Sequence, residues 1–385
     1  MASTAAAVTA SARKTGRSVL SIAVEMLALR FSQGRLGFSE YLDYELAGTD
    51  LTLEQKKAFG GWRAQAILEK LLVDEYSEIL SLDKISMYAM FAGCGFPHPA
   101  LRATYRTKRP AKLAQNLESP SELLAFLRQP ENVPVYVKPS SSSFGRGNFL
   151  LTGIQDKHFE LGSAERLNED QLLDRLEDRR GLGWVLQEPL TSHPRLADVC
   201  GTAKISGFRI HSFYSDRGPI ITRAIWRANA GNRDDDHFKF GTSGNLICQI
   251  DLESGKVLRV VGGFRDTRRL HESHPNTGRP MLGIQIPCWR EIRQLVLDAH
   301  LAFPGYTCPG WDIALCADGP KIIEVNGFGD IDTSQHSDRR GFLDPQFIEM
   351  LDRRGVLERF LRGSFVRDLF ARDRVKPAHR AQWAW

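Results

Sequence analysis

The sequence predicts an α+β protein with antiparallel sheets: a helical N-terminal part, a hairpin-rich sheet domain and a basic C-terminal tail. Residues 19–82 carry apolar side chains near 3.6-residue spacing, which is typical of amphipathic helices. After about residue 133, short β-branched runs between turn residues indicate strands. Only one helical pattern, at 288–303, separates the later strands, so a long series of βαβ units is not indicated.

The helical part contains recognisable start and stop signals. In "TDLTLEQKKAF", Thr49 or Asp50 is the expected N-terminal cap of a short helix. The helix in "DKISMYAMFAGCGFPHP" is expected to stop at Gly93 and Gly95, because the prolines that follow forbid its continuation.

Three hairpins are predicted in the sheet domain, at residues 207–226, 245–263 and 310–328. Each pairs two β-branched runs across a short turn-forming segment, as in "GFRIHSFY-SDRG-PIITRAIW". No repeat of fixed period is visible.

Composition and charge restrict the class of protein. With 385 residues, 42% hydrophobic and 25% charged, the chain is an ordinary globular sequence, and no apolar run is long enough to span a membrane. The net charge of +5 is concentrated in residues 353–385, which hold nine Lys/Arg and three Asp/Glu. The basic excess therefore belongs to a tail, and nucleic-acid binding is not expected.

The termini and cysteines indicate a cytoplasmic protein. The first 18 residues are rich in Ala, Ser and Thr, and we interpret them as a disordered or loosely helical start rather than a targeting signal. The six cysteines are scattered without a C-x-x-C pair, so we expect buried thiols and neither a zinc site nor a disulfide framework. Residues 355–370 are expected to form a closing amphipathic helix that packs on the body.

A loop of small residues follows a lysine at a strand end in "VYVKPSSSSFGRGNF". Lys138 ends the strand, and the loop that follows includes Ser141, Ser142, Ser143, Gly145 and Gly147. Such a loop can fold over phosphate oxygens as a nest of backbone donors, although a flexible surface loop would look the same. It is not a P-loop, in which the lysine follows the glycines.

Two carboxylates and an amide are predicted to share one face of the last hairpin. If Ala317–Gly319 is a three-residue loop with Gly319 in the left-handed region, Asp312 pairs with Glu324, and Asn326 lies on the same face. Ile313, Ile323 and Val325 would point the other way. Opposed carboxylates are destabilising unless a cation lies between them, and hard oxygen ligands suit Mg²⁺. An exposed polar sheet face is the alternative.

Three further positions attract attention. Arg209 in "GFRIHSFY" alternates with His211 and could hold a phosphate or a carboxylate, or lie on an exposed strand. In "WVLQEPL", Gln187, Glu188 and Leu190 form a strand end that could offer backbone groups to a purine and a carboxylate to a ribose. Lys84 begins a helix, where an exposed lysine is the commoner explanation.

Two sets of residues are discounted. His271 and His274 lie in a turn-like segment with no third metal ligand nearby in sequence. The acidic run at Asp234, Asp235 and Asp236 is interpreted as a solvated loop.

Taken in order, these residues resemble the ATP-grasp superfamily, and most closely its sugar-transfer-associated, α-L-glutamate-ligase-related family. The closer resemblance rests on "DK" at 83–84, "VLQEPLTSHPRL", "HPNTGRPMLGIQIPCW" and "GWDIALCADGPKIIEVNGFGDIDTSQ". It covers roughly residues 80–345. The loop "DDDHFKFGTSGN" departs from the family pattern on the acceptor side, so the substrate cannot be carried over from the family.

The resemblance implies two α+β lobes that grip ATP. Lys84 and Lys138 would hold phosphates, the loop 140–147 would close over them, and Glu188 would meet the adenosine. Arg209 would meet the transferred phosphoryl group or the carboxyl substrate. Mg²⁺, or Mn²⁺ as a substitute, would be held by Asp312, Glu324 and Asn326.

The expected organisation is an N-terminal helical region (1–80), an ATP-grasp domain (81–352) and a basic helix and tail (353–385). The ATP-grasp domain would divide into a central lobe at about 134–190 and a C-terminal lobe at about 191–352. The expected activity is an ADP-forming carboxylate–amine ligase acting on small-molecule carboxylates and amines. A phosphotransferase with a hydroxyl acceptor and a non-catalytic nucleotide-binding protein are the alternatives.

Overall fold

Two seven-stranded sheets and a helical N-terminal part make up the protein. The computed structural model describes residues 4–107, 112–141, 147–177, 182–231 and 236–363. Within these residues the strand pairs are antiparallel apart from one parallel pair at the edge of the first sheet. The predicted α+β class with antiparallel sheets is confirmed.

The N-terminal part is helical, as its apolar spacing predicts. The inner face of the second helix buries Ile22, Met26 and Leu29, which recur at intervals of four and three residues. The cap of the fourth helix is Thr52, whose hydroxyl accepts from Gln55 N–H in a capping box; the prediction of Thr49 or Asp50 was wrong. The helices are α1 (Thr4–Thr15), α2 (Val19–Arg30), α3 (Phe38–Asp43), α4 (Leu53–Lys57), α5 (Trp62–Leu72), α6 (Glu75–Leu82) and α7 (Lys84–Gly93).

The first sheet has the strand order β2-β1-β7-β3-β4-β5-β6 and a core shared with helices α8 and α9. Its first two strands precede residue 134, so the sheet begins earlier than the sequence pattern indicates. Its elements are β1 (Leu101–Tyr105), β2 (Gln115–Leu117), α8 (Pro120–Leu127), β3 (Val135–Pro139), β4 (Phe149–Gln155), β5 (His158–Leu161), β6 (Arg166–Leu167), α9 (Glu169–Arg175) and β7 (Trp184–Gln187).

The second sheet has the order β12-β11-β10-β9-β8-β13-β14, and its largest core packs against α7 and a long helix, α11. The three predicted hairpins are present as β8–β9, β10–β11 and β13–β14. The elements are α10 (Pro194–Cys200), β8 (Phe208–Ser215), β9 (Gly218–Ala228), β10 (Leu246–Ile250), β11 (Val257–Gly262), β12 (Arg269–Leu270), α11 (Trp289–Ala302), β13 (Gly310–Cys316) and β14 (Gly319–Asn326).

Three helices close the described chain: α12 (Ile331–Asp338), α13 (Pro345–Arg353) and α14 (Leu357–Arg362). The predicted closing helix at 355–370 is present in its first part, and Phe360 is fully buried. The remainder of that prediction and the basic tail after residue 363 lie outside the described residues. No helix in the described ranges is both long and apolar enough to cross a membrane.

The cysteine prediction is borne out in part. All six thiols are free, and Cys200, Cys248, Cys308 and Cys316 are buried. Cys288 is half-buried and Cys94 is exposed.

The N-terminal helices dock on the second sheet through one buried amide. Gln335 in α12 is 1% exposed, and its Oε1 accepts from Gly60 N–H (2.7 Å) and Phe342 N–H (2.9 Å). Its Nε2 donates to Tyr44 Oη and to Gly60 O, both at 2.9 Å. All the polar capacity of this side chain is thus used to join residues 44–60 to the C-terminal part of the sheet domain.

We predict that Gln335→Glu lowers the free energy of unfolding by about 3 kcal/mol, because a buried carboxylate would face the Gly60 carbonyl that now accepts a hydrogen bond. Urea unfolding followed by tryptophan fluorescence measures the effect. Gln155→Glu, on the exposed edge of the first sheet, is the matched control and should unfold as the wild type does. An unchanged midpoint for Gln335→Glu would show that this junction does not hold the helices in place.

Candidate active site

The paired carboxylates of the last hairpin lie opposite each other, as predicted, but by a different route. Cys316 pairs with Gly319, so the loop has two residues, Ala317 and Asp318. A β-bulge between Asp312 and Ile313 then adds one residue to β14 and restores the pairing of Asp312 with Glu324. Because of this bulge Ile322 is the fully buried isoleucine of β14, whereas Ile323 was expected.

Asp312 is held by two arginines from neighbouring strands. It is 7% exposed, and Arg209 on β8 approaches it with both Nε–Oδ1 (2.8 Å) and Nη2–Oδ2 (3.0 Å). Arg227 at the end of β9 lies 3.2 Å away, from its Nη2 to Oδ1. Burial alone would raise the pKa of Asp312, but the two guanidinium groups outweigh it and hold the pKa well below its usual range. The carboxylate is therefore ionised.

Arg227 and Asp236 extend this cluster and were not predicted. Asp236 Oδ2 lies 3.3 Å from Arg227 Nε and accepts from Gly207 N–H at 2.8 Å. Asp236 is buried, so the interpretation of this acidic run as solvated is wrong at this position; Asp234 and Asp235 lie outside the described residues. The one available signal was the period-two alternation of Arg223, Ile225 and Arg227 on β9, which is common on exposed strands.

Two buried lysines reach Glu324 from outside the second sheet. Lys84 Nζ, at the start of α7, lies 3.8 Å from Glu324 Oε1. Lys84 is 4% exposed, so the alternative of an exposed helical lysine does not hold. Its backbone N–H donates to Ser140 O (3.0 Å), just beyond Lys138 at the end of β3.

Lys138 is 6% exposed, and its environment shifts its proton equilibrium. Burial lowers the pKa of Lys138 to about 8; Lys84 acts in the same direction, whereas Glu324, Asp312 and Asp236 oppose the shift. This lysine of the first sheet therefore shares an electrostatic environment with the carboxylates of the second. The structure thus brings Lys84, Lys138, Arg209, Asp312 and Glu324 together.

The strand-end residues predicted to meet adenosine already have protein partners. Tyr88 Oη donates to Gln187 Oε1 at 2.9 Å. Glu188 Oε1 accepts from Ala100 N–H (3.1 Å) and lies 3.0 Å from Lys321 Nζ. Leu190 is half-buried in the segment after β7. Their part in nucleotide binding stays a prediction.

The Ser/Gly loop can be described only at its two ends. Ser141 is half-buried, and Gly147 has a φ of +82°, a conformation that glycine adopts without strain. Ser142, Ser143 and Gly145 lie outside the described residues, so the predicted phosphate nest stays a prediction.

Residues 68–344 match the model of a protein family described as sugar-transfer associated ATP-grasp. The chain belongs to this family. The matched range contains Lys84, Lys138, Arg209, Asp312, Glu324 and Asn326, so the whole charged cluster is part of the ATP-grasp region. No match was found among curated proteins.

Solved structures with a similar fold include ATP-grasp enzymes at low sequence identity. N5-carboxyaminoimidazole ribonucleotide synthetase from Thermotoga maritima has 11% identity over 72% of this chain and 55% of its own, with a TM-score of 0.37. L-amino acid ligase from Bacillus licheniformis has 13% identity over 67% and 42%, with a TM-score of 0.35. This chain therefore spans about half of the length of these two proteins.

The oxygen donors of the hairpin are compatible with a divalent cation. No group of three or more His, Cys, Asp and Glu side chains in the described ranges is arranged to hold a metal. The predicted set is different, because it combines two carboxylates with an amide. Asn326 Nδ2 lies 3.4 Å from Asp312 Oδ2 and 3.3 Å from Gly310 O, which leaves its carbonyl oxygen for a cation. Hard oxygen donors of this kind are those that Mg²⁺ prefers.

Proposed function

We propose that this ATP-grasp protein is an ADP-forming carboxylate–amine ligase that makes an amide bond on a small molecule, a peptide or a sugar-linked substrate. The observation that supports this most strongly is the convergence of buried cationic side chains from both sheets on Asp312 and Glu324. The substrates are proposed to be a small-molecule carboxylate and an amine. We place the activity in the cytoplasm, in line with the N-terminal composition and the free cysteines.

The charge balance of the cluster suits a nucleoside triphosphate. Lys84, Lys138, Arg209 and Arg227 are cationic, and they face the carboxylates of Asp312, Glu324 and Asp236. Among the described residues of this cluster the cations are in excess by one. Mg-ATP carries net negative charge, so its phosphates would complete a site that the protein leaves positive.

Asp312, Glu324 and Asn326 are the residues proposed to hold Mg²⁺, with Mn²⁺ as a substitute. When bound, the cation would neutralise negative charge on the phosphate oxygens. Arg209 already occupies both oxygens of Asp312. The arginine is thus fixed beside the proposed metal ligands, where a transferred phosphoryl group would lie.

The proposed reaction has two steps. A carboxylate oxygen attacks the γ-phosphorus of ATP, the bond to the β,γ-bridging oxygen breaks, and ADP and an acyl phosphate form. The amine nitrogen then attacks the acyl carbon, a C–N bond forms, inorganic phosphate leaves and the amine loses a proton. Lys138 and Arg209 would stabilise the phosphoryl charge. Their burial would also keep water from the acyl phosphate, which otherwise hydrolyses.

ADP production from Mg-ATP tests this proposal across a panel of carboxylates, each with and without a panel of amines. The ligase predicts ADP formation that needs both partners, together with an amide product. ADP formed with hydroxyl acceptors and a phosphorylated product would instead establish a kinase. Mg-ATP binding without turnover in any combination would favour a non-catalytic nucleotide-binding protein.

The pKa of Lys138 gives a prediction for nucleotide binding. With a pKa of about 8, about half of the nucleotide-free protein is unprotonated at that pH, and phosphate binding should restore the charge. We therefore expect uptake of about half a proton per Mg-ATP near pH 8, falling towards zero near pH 6. Above this pKa the affinity should fall with increasing pH, because the neutral lysine must first be protonated.

Isothermal titration calorimetry in two buffers of different ionisation enthalpy measures this uptake. Lys138→Arg is the control, because arginine stays charged throughout this range and should bind Mg-ATP without taking up a proton. A binding enthalpy that does not depend on the buffer in the wild type, or equal uptake in Lys138→Arg, would contradict the assignment of Lys138 to the phosphates.

A further inference from the structure

A polar groove lies beside the charged cluster, and none of the roles described above uses it. Its walls come from the segment after α10 (200–204), the loop after β9 (229–231) and the turn at 276–277, and its volume is about 470 Å³. This is within the range of small-ligand sites in proteins, roughly 300–1,000 Å³. The turn belongs to the "HPNTGRPMLG" motif.

The walls of the groove are fixed by hydrogen bonds between side chains and the main chain. Asn245 Oδ1 accepts from Ala230 N–H (3.1 Å) and Gly231 N–H (2.9 Å). Asn276 Nδ2 donates to Ala230 O at 2.9 Å, and Thr277 Oγ1 donates to Val199 O at 2.7 Å. A site held in this way is ordered before a ligand arrives.

Asn229 is the exception to this satisfied network. It lines the groove, is 1% exposed, and its Nδ2 has no hydrogen-bond partner among the described residues. Its backbone is fully used, because its N–H donates to Ser206 Oγ (3.1 Å) and its carbonyl lies 3.1 Å from His274 Nε2. A buried donor without an acceptor is unfavourable, and a ligand oxygen would satisfy it.

The groove adjoins the proposed reaction centre. Asn229 follows Arg227 by two residues, a step of roughly 7 Å along a strand, and Arg227 contacts Asp312. Ser206, which accepts from Asn229, precedes Gly207, whose N–H donates to Asp236. A substrate whose reacting group lies at the phosphates could therefore extend into the groove.

The chemistry of the lining selects the class of ligand. Of the described residues that line the groove none is acidic, and Lys204 is the one cationic residue among them. The lining combines the donor of Asn229 with acceptor oxygens of Asn276 and of the threonine hydroxyls. Hydroxyl groups both donate and accept, whereas a carboxylate only accepts and would be opposed by these oxygens.

We propose that the groove binds a neutral, polyhydroxylated part of the acceptor substrate, with Asn229 Nδ2 donating to one of its oxygens. This inference rests on the proposed function, which supplies the acceptor. It assigns the "HPNTG" turn to substrate binding, and His274 to the positioning of Asn229.

Saturation-transfer NMR without nucleotide tests the groove, using as probes the methyl glycosides of glucose, galactose, mannose and N-acetylglucosamine, and methyl glucuronide and galacturonide as acidic counterparts. We expect saturable binding of at least one neutral glycoside. Asn229→Asp, which replaces the donor by an oxygen, should weaken it about tenfold. Asn276→Ala, at an exposed position, should weaken it severalfold, and Gln155→Glu should bind as the wild type does. Thermal unfolding of each variant confirms that it is folded.

Three outcomes would overturn the inference: no saturable binding of any neutral glycoside to the wild type, binding of the acidic glycosides alone, or equal binding by Asn229→Asp and Asn276→Ala. Mg-ATP binding and turnover are measured separately on the same wild-type sample. Glycoside binding without any Mg-ATP binding would refute the proposed function and leave the groove standing. Ligase turnover without glycoside binding would do the reverse.

Discussion

Replacing Arg209 by methionine is expected to lower kcat/KM for ADP formation by about 10³-fold, because a positioned charge at the phosphoryl group is lost. The free energy of unfolding should also fall, by about 3 kcal/mol, since Asp312 stays buried and loses its two short contacts with Arg209. Steady-state kinetics and urea unfolding measure the two effects. Arg209→Lys keeps the charge without the bidentate geometry and should retain more activity than Arg209→Met.

The double variant Arg209→Met with Asp312→Asn separates the two roles of the arginine. Removing both charges relieves the unpaired carboxylate, so part of the lost stability should return while turnover stays low. If turnover recovered together with stability, Arg209 would act only by holding Asp312, and the proposed contact with the phosphoryl group would be wrong.

Glu324→Gln is the second substitution with a large expected effect, a fall in kcat of about 10³-fold. The change is isosteric but removes the carboxylate that faces Lys84 Nζ at 3.8 Å. It also removes a charge that supports the protonated form of Lys138, so the pKa of Lys138 should fall further. The Mg²⁺ concentration needed for half-maximal rate should rise, because one proposed ligand is lost.

ADP release measured over a range of Mg²⁺ concentrations checks this prediction. Glu160→Gln, which removes a carboxylate on β5 in the first sheet, is the matched control and should behave as the wild type does. A Glu324→Gln protein with unchanged kcat and unchanged Mg²⁺ dependence would exclude Glu324 from the site.

The hairpins could be predicted from the sequence because their determinants are local. Alternating strands and a glycine-containing turn bring Asp312 opposite Glu324 in the structure, as the sequence pattern predicts. The route could not be predicted, because the bulge between Asp312 and Ile313 compensates for a two-residue loop, and such a bulge leaves no short-range signal in the sequence. The outcome was right because two deviations of one residue cancelled.

Other features depend on contacts between residues that are distant in sequence. The pairing of Arg227 with Asp312 and Asp236 requires the ends of two strands and a loop to meet. The docking of the N-terminal helices depends on Gln335, a glutamine in a polar helix with no distinctive local pattern. Lys84 appeared as a helix-start lysine, and only the fold shows that it is buried against Glu324. Local periodicity carries no information about such meetings.

The central claim is the formation of an acyl phosphate from a carboxylate substrate, and isotope transfer tests it most directly. Once the panel assay identifies a substrate pair, the carboxylate is labelled with ¹⁸O and the released phosphate is analysed by mass spectrometry. The proposed ligase predicts that one ¹⁸O atom moves from the carboxylate to each phosphate during amide formation. Phosphate without the label, or a stable phosphorylated product in its place, would contradict the mechanism and favour phosphoryl transfer to another acceptor.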